Sequence, residues 1–226
     1  MAKITWHGHA TCTLETDDGT RVVIDPFFDD NPVTDLAAAD VEADFILCTH
    51  GHYDHFADCI PLAQRTGAKV ISTFEIIGYL GTKGVQNTHA LHIGGGNTFP
   101  FGYVKMTPAL HGGQVAGDDG TYTTVPGGFL IDLGDRTFYH SGDTALLMDM
   151  ELLRGQVDVA MLPIGDNFTM GPKDAARAVE MIEPGVVIPI HYSTWEVIHQ
   201  DPEDFKALVG DRARVVILKP GGSFEF

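Results

Sequence analysis

The segment Thr49-His50-Gly51-His52-Tyr53-Asp54-His55 gathers three imidazoles and one carboxylate within seven residues. It follows an apolar run at residues 45–49 that is typical of a β-strand covered on both faces. In extended chain, side chains two residues apart share a side, so His50 and His52 should face together. Asp54 and His55 fall on the turn into the next helix and diverge from that pair. The spacing therefore favours two adjacent metal sites, and imidazole with carboxylate suits Zn²⁺, Mn²⁺ or Fe.

Three more candidate ligands occupy matching positions later in the chain. His111 ends an apolar strand at 104–110, Asp143 lies between a strand and a helix, and His191 ends a strand at 186–190. The carboxyl ends of strands form the edge where α/β proteins assemble their sites. We therefore group these three residues with the 49–55 stretch.

The order of elements predicts an α/β protein, with strands first and then strand–helix alternation, twice over. This order indicates two similar halves that pack sheet to sheet with helices outside, in one domain over residues 1–226. Pro61 must start, kink or split the helix that contains it. The predicted strands cover residues 3–6, 11–15, 21–24, 45–49, 69–73, 104–110, 128–133, 137–139, 157–163, 186–190 and 213–218. The predicted helices cover residues 54–66, 75–80, 144–153, 172–182 and 202–209.

The charge balance limits the class of partner. With 14 Lys and Arg against 31 Asp and Glu, the net charge is −17, which argues against nucleic acid and anionic membranes. A small-molecule substrate, including an anionic one, is compatible because bound cations reverse the local field. Three cysteines without a Cys-x-x-Cys pair, no apolar run long enough to span a membrane and no visible export signal predict a cytoplasmic protein. The oligomeric state has no signature in the sequence.

The combination of motifs resembles a known superfamily. The 49–55 stretch, a later His, Gly142-Asp143-Thr144 and Pro189-Ile190-His191 resemble the metallo-β-lactamase superfamily. Within it, Trp6-His7-Gly8-His9-Ala10 and Ile24-Asp25-Pro26-Phe27 are similar to segments of the metal-dependent hydrolases related to ascorbate-6-phosphate lactonase. The resemblance runs from about residue 3 to residue 222. It implies a four-layer αββα sandwich with a dinuclear metal site at one edge of the two sheets.

The resemblance also implies a role for each candidate ligand. One divalent cation would be held by His50, His52 and His111, and the second by Asp54, His55 and His191, with Asp143 bridging both. Zn²⁺ and Mn²⁺ are the first choices and Fe is the third. A hydroxide shared by the two cations would attack a small ester, lactone or phosphodiester. In that reaction Asp54 would be the catalytic residue, which orients the hydroxide and carries a proton.

Three alternatives stay open beside hydrolysis of a small molecule. A nuclease of the same superfamily is disfavoured by the net charge and by the absence of a basic arm. A redox or oxygen-binding di-iron protein is disfavoured because such relatives place an acidic residue where this chain has His52. A non-catalytic metal-binding protein is disfavoured because the ligand set is complete.

Several residues near these motifs have two interpretations each. Asp25 would either orient a ligand histidine through its second ring nitrogen or merely start a turn. For His9, His92 and His140 a structural role is favoured over a functional hydrogen bond. Residues 112–126 are rich in Gly, Asp and Thr, and we expect a mobile loop that could close over the substrate.

Overall fold

Two seven-stranded sheets and one two-stranded sheet make up the β structure in the computed structural model, which describes residues 1–117 and 120–226. The strands are β1 Lys3–Gly8, β2 Thr11–Glu15, β3 Arg21–Ile24, β4 Phe45–Leu47, β5 Lys69–Thr73, β6 Thr88–Leu91, β7 Gly96–Phe99, β8 Gly102–Pro108, β9 Gln114–Gly117, β10 Gly120–Thr123, β11 Gly127–Asp132, β12 Thr137–His140, β13 Val159–Pro163, β14 Val186–Ile190, β15 Arg214–Val215 and β16 Ser223–Glu225. The α-helices are α1 Tyr53–Phe56, α2 Cys59–Thr66, α3 Phe74–Thr82, α4 Pro172–Ile182 and α5 Pro202–Val209. Short 3₁₀ helices cover Ala38–Asp40, Met148–Leu153, Glu196–Ile198 and Gly210–Arg212.

The two large sheets have the same design, which confirms the prediction of two similar halves. The first has the order β16-β1-β2-β3-β4-β5-β6 and the second β15-β14-β13-β12-β11-β8-β7. In each sheet one side is antiparallel, and four strands are parallel to one another: β3 to β6 in the first, β12 to β15 in the second. The last strand, β16, pairs with β1 and returns the chain to the first half.

The apolar residues of the first sheet alternate between two cores. Val22 and Ile24 of β3 pack in the core between the sheets, whereas Val23 packs outward against the helices α1, α2 and α3. The second sheet is covered on its outer face by α4 and α5, whose Val179 and Phe205 are buried. Helices outside two stacked sheets confirm the predicted αββα sandwich. No described helix has the length and apolar character that a bilayer crossing requires.

The direction of the strands brings the candidate ligands to one edge. Because β1 and β3 are each antiparallel to β2, they run parallel to each other and to β4. By the same argument β8 runs parallel to β12, β13 and β14. The chain leaves the carboxyl ends of β1, β3, β4, β8, β12 and β14 just before the histidines and aspartates of interest.

The expected helix over residues 144–153 is wrong in its first half. Only Met148–Leu153 is helical, as a 3₁₀ helix. The backbone of Thr144 accepts from Met170 at 3.0 Å, and the backbone of Ala145 donates to Leu110 at 3.0 Å. The carbonyl of Thr144, which would accept the first bond of the helix, is therefore bonded to another segment, and the N–H of Ala145 ties the chain to Leu110.

Two other predictions need adjustment. The helix over residues 54–66 splits into α1 and α2 at Asp58, whose carboxylate accepts from the backbone N–H of Phe28 at 2.6 Å. Residues 112–126, which we expect to form a mobile loop, contain the paired strands β9 and β10. The middle of that segment, 118–119, lies outside the described residues.

Candidate metal centre

The first ligand group consists of His50, His52 and His111. Nε2 of His50 lies 3.0 Å from Nδ1 of His52, and Nε2 of His111 lies 3.2 Å from the same Nδ1. His50 is fully buried, whereas the other two are partly accessible. Three ring nitrogens from two halves of the chain therefore converge on one point, as a metal site requires.

The second group consists of Asp54, His55 and His191. Oδ2 of Asp54 lies 3.8 Å from Nε2 of His55 and 3.9 Å from Nε2 of His191. The rings of the two histidines are nearly parallel, with centroids 5.7 Å apart. Donor atoms of all three residues lie within 4.8 Å of one another, so one cation can reach them together.

The carboxylate of Asp143 lies between the two groups. Its Oδ2 is 3.0 Å from Nε2 of His191, 3.3 Å from Nε2 of His55 and 3.6 Å from Nε2 of His111. The structure thus gathers all seven residues that the sequence singles out. That they bind metal stays a prediction.

The loop that carries Asp143 has little freedom. Gly142 has φ +61°, and a Cβ there would lie 2.6 Å from the carbonyl oxygen of Gly127 and 3.0 Å from Cβ of Thr49. The amide of Gly142 donates to Nδ1 of His140 at 3.1 Å, while the opposite ring nitrogen of His140 donates to the carbonyl of Ala10 at 2.9 Å. His140 is therefore a structural residue that fixes this loop against the first half.

Asp25 orients two of the candidate ligands. Its Oδ2 accepts from Nδ1 of His55 at 2.8 Å and from the hydroxyl of Thr49 at 2.6 Å. The same hydroxyl lies 3.0 Å from Nδ1 of His50. With Nδ1 of both histidines engaged in this way, their Nε2 lone pairs point at the centre. The orienting interpretation of Asp25 is the one that the structure supports.

His9 lies at the site and makes a hydrogen bond to a candidate ligand, the alternative that the sequence analysis ranked below a structural role. It follows β1, and its Nε2 lies 2.9 Å from Oδ2 of Asp54 while its Nδ1 lies 2.8 Å from the hydroxyl of Thr194. Its ring is 4.0 Å from that of His191, centroid to centroid. The available signal was His7-Gly8-His9 at a strand end, which repeats the His-x-His spacing of the main motif.

Backbone strain concentrates at these strand ends. His9, Asp25 and His191 have φ of +53°, +50° and +51°, a region that non-glycine residues rarely occupy. Each such residue costs about 1 kcal/mol. The amide of His191 also donates to the carbonyl of His9 at 2.8 Å, which joins the two halves. The fold thus holds strained residues in place where side chains must meet.

The electrostatics keep the first group neutral. Burial, followed by the neighbouring His55, lowers the pKa of His50 and of His52, and burial is also the main cause of the lowered pKa of His111. Burial and then His191 lower the pKa of His9 to about 4. Neutral imidazoles have the free lone pair that a cation needs.

The second group carries charge in the metal-free chain. Burial alone would raise the pKa of Asp143, but His191 and His55 outweigh it and lower the pKa well below the usual range. Burial alone would lower the pKa of His55, yet the negative charges of Asp143, Asp25 and Asp54 raise it well above the usual value. In the metal-free chain, a proton on His55 therefore supplies the positive charge that a bound cation can supply instead.

The donor set and its unsatisfied atoms fit divalent metal. Within the described residues, five buried side-chain atoms lack a hydrogen-bond partner, and two of them are at this centre: Nε2 of His55 and Oδ1 of Asp143. Such atoms are costly unless something binds them. Imidazole nitrogens with carboxylate oxygens are ligands for Zn²⁺, Mn²⁺ and Fe. This cluster is able to bind metal.

The remaining histidine with an open role lies elsewhere. His92 is 54% exposed on its side chain and sits 3.9 Å from Glu75, away from both ligand groups. Trp195, by contrast, stands beside the centre, with its ring 4.9 Å from that of His9 and 39% of the residue exposed.

An αββα sandwich with a histidine- and aspartate-rich centre at the carboxyl edge of its sheets defines a protein of the metallo-β-lactamase fold. A model described as "Beta-lactamase superfamily domain" matches residues 20–192. The chain belongs to this superfamily and, within it, to the UPF0173 metal-dependent hydrolases.

Similarity to named relatives extends over nearly the whole chain. A UPF0173 metal-dependent hydrolase of Geobacillus sp. (strain WCH70) is 50% identical over 99% of both chains, and one of Bacillus subtilis (strain 168) is 48% identical over 90% of this chain and 91% of its own. The solved structure of a metallo hydrolase from the archaeon Ignicoccus hospitalis has a TM-score of 0.88 at 34% identity, over 100% of this chain and 99% of the other. The protein is a metal-dependent hydrolase.

Proposed function

We propose that the protein uses two divalent cations to hydrolyse a small ester, lactone or phosphodiester. The observation that supports this proposal is the position of Asp143, whose Oδ2 lies within 3.6 Å of histidines from both ligand groups. Bound Zn²⁺ or Mn²⁺, with Fe as the third choice, would polarise a substrate oxygen and bring the pKa of a shared water near neutrality, so that a bridging hydroxide is available.

The charges of the ligands determine which substrates the site attracts. Two of the seven side chains, Asp54 and Asp143, are anionic, so two divalent cations would leave a local charge of about +2. A small anionic substrate is therefore attracted despite the net charge of −17. The same net charge opposes a long polyanion, which favours a small molecule over nucleic acid.

Asp54 is the residue that handles the proton. Its side chain is 24% exposed, whereas that of Asp143, the other ligand carboxylate, is 3% exposed, so Asp54 is the ligand carboxylate open to a substrate and to water. Its Oδ2 accepts from Nε2 of His9, which holds the carboxylate in one orientation. His55 and the hydrogen bond from His9 outweigh the effect of burial and lower the pKa of Asp54, which keeps it ionised. An oriented carboxylate can align an attacking water and take its proton.

The substitution Asp54→Asn tests this role. Because His55, His191 and Asp143 remain to hold the second cation, we expect the variant to keep its metal content. We expect kcat/KM on a panel of esters, lactones and phosphodiesters to fall about 100-fold or more, because proton transfer is lost. The measurements are elemental analysis and initial rates on the same preparation. Asp35→Asn, at an exposed carboxylate outside the centre, is the matched control and should equal the wild type. Full turnover by Asp54→Asn with bound metal would refute the role, and an inactive wild type that holds metal would refute hydrolysis of these substrates.

A further inference from the structure

A cavity of about 330 Å³ adjoins the first ligand group. Gly51 and His52 form part of its wall, so it opens directly beside the candidate metal centre. The other walls come from the helices after the 49–55 stretch and from the hairpin of β9 and β10, and they include Phe56, Ile60, Tyr79, Gln114 and Val115. Anything bound at the metals therefore has this cavity as its neighbour.

The cavity differs in polarity from the rest of this acidic protein. None of its nine described lining residues is an Asp, Glu, Lys or Arg. Four other cavities bounded by the described residues each include charged side chains, such as Asp166 and Lys173 in one of about 710 Å³. A binding site for an ion would contain charges, and a site for an apolar group would exclude them. The only cavity of the five that touches candidate ligands is also the uncharged one.

The walls are rigid enough to form a pocket before anything binds. Phe56 and Tyr79 are each 6% exposed, and their ring centroids lie 6.1 Å apart. Val115 is 3% exposed and packs on Gly51. At the mouth, the hydroxyl of Tyr53 donates to Asp30, which holds that ring in place. An apolar cavity of about 150 Å³ is enough to bind benzene, so this one has room for an aryl ring with a short linker.

From this position and polarity we propose that the cavity binds an apolar aryl or alkyl substituent of the substrate, whose ester or lactone carbonyl lies at the metals. The proposal rests on the proposed function and narrows it to esters and lactones that carry such a substituent. Apolar walls favour a longer or aromatic substituent over a methyl group, because each extra methylene changes discrimination by about tenfold or more.

Three esters test the proposal on the metal-loaded protein. Methyl acetate lacks an apolar substituent, whereas methyl phenylacetate and benzyl acetate carry the same ring on opposite sides of the ester. We expect kcat/KM for at least one aryl ester to exceed that for methyl acetate tenfold or more. Measurable and equal kcat/KM values for all three would overturn the proposal.

Variants of the wall connect this preference to the cavity. Ile60→Trp fills the cavity and should lower the ratio of the preferred aryl ester to methyl acetate at least tenfold; Ala57→Leu, a smaller change in the same wall, should lower it less. Ile77→Trp is the matched control, because Ile77 is a partly buried isoleucine of the same core that does not line the cavity. The proposal is overturned if the ratio stays at the wild-type value in both wall variants.

A binding measurement separates this proposal from the proposed function. Saturation-transfer NMR with phenylacetate, and with acetate as the reference, detects occupancy of the cavity without turnover. Saturation of the phenylacetate ring that persists in Ile77→Trp and disappears in Ile60→Trp supports binding in the cavity, even where no ester is hydrolysed. In that case only the proposed ester hydrolysis is refuted. No saturation in the wild type would overturn the cavity proposal.

Discussion

His9 links the candidate metal centre to a hydroxyl on the opposite half of the chain. With its pKa lowered to about 4, the imidazole is neutral near pH 7 and can donate one N–H. Donation from Nε2 to Asp54 leaves Nδ1 to accept from the hydroxyl of Thr194, so both contacts are satisfied together. His9 therefore acts through Asp54, as a positioning residue.

The substitution His9→Asn should separate positioning from folding. Asn tolerates the positive φ at this position, but its shorter side chain cannot make the 2.9 Å bond to Asp54. We expect kcat to fall about 10- to 100-fold with KM and metal content nearly unchanged, as for other residues that orient a ligand. The measurement is steady-state kinetics with elemental analysis, and His92→Asn is the control on an exposed histidine. A wild-type kcat would show that His9 only fills space.

The sequence predicts the candidate ligands better than it predicts the residues that orient them. The seven candidate ligands follow from one dense motif and from their places at strand ends. The contact of His9 with Asp54 depends on β1 being parallel to β3, a consequence of two antiparallel pairings that residue spacing does not encode. Asp25 was ambiguous for a related reason, since its carboxylate reaches His55 across thirty positions of the chain.

The close contact between Gly51 and the β9–β10 hairpin determines how these two elements of the site pack together. A Cβ on Gly51 would lie 2.7 Å from the carbonyl oxygen of Gln114 and would overlap Val115. Backbone atoms cannot move aside cheaply, so a methyl group there must displace the hairpin or the His50–His52 segment. The glycine is required by this close approach.

Gly51→Ala should therefore destabilise the protein by about 1–3 kcal/mol and reduce turnover. The measurement is urea unfolding of the metal-free protein, with kinetics of the loaded form. Gly78→Ala is the contrasting control: this helical glycine has no neighbour within 4 Å, so we expect stabilisation of about 0.5–1 kcal/mol. Equal effects of the two substitutions would contradict the close packing at Gly51.

Elements with a clear apolar pattern could be predicted from the sequence, whereas several polar strands at the sheet edges could not. The bounds of α4, α5 and β14 match because apolar periodicity and a first-turn proline or a buried run define them. The strands β6, β7 and β16 were missed because they lie at or near sheet edges, where exposed polar residues interrupt the pattern. The loop at residues 144–147 was mistaken for helix because its apolar spacing is helical while its hydrogen bonds go to other segments.

The stability of the whole molecule should depend on pH through its buried histidines. His7 lies outside the ligand groups, bonded to the hydroxyl of Thr13 at 2.8 Å, and burial lowers its pKa to about 4. The unfolded chain, with a pKa near 6.5, takes up the proton first. Stability from this residue is therefore complete above pH 6.5 and is lost as the pH falls toward 4.

The loss between pH 6.5 and 4.5 should be on the order of 2 kcal/mol, at about 1.4 kcal/mol per pH unit. Urea unfolding of the metal-free wild type and of His7→Gln, at both pH values, isolates the contribution of His7 to the free energy of unfolding. We expect the free energy of unfolding to fall less steeply in His7→Gln. An equal fall in the free energy of unfolding of both proteins would show that His7 does not stay neutral in the folded protein.

The two halves of the chain should meet around two cations. Anomalous diffraction from crystals grown with Zn²⁺ would show the position of each cation. We predict two peaks: one about 2.0–2.2 Å from donor atoms of His50, His52 and His111, the other at that distance from Asp54, His55 and His191, with Asp143 in contact with both. No peak at this edge of the sheets, or a single peak that leaves Asp143 unbound, would contradict the claim.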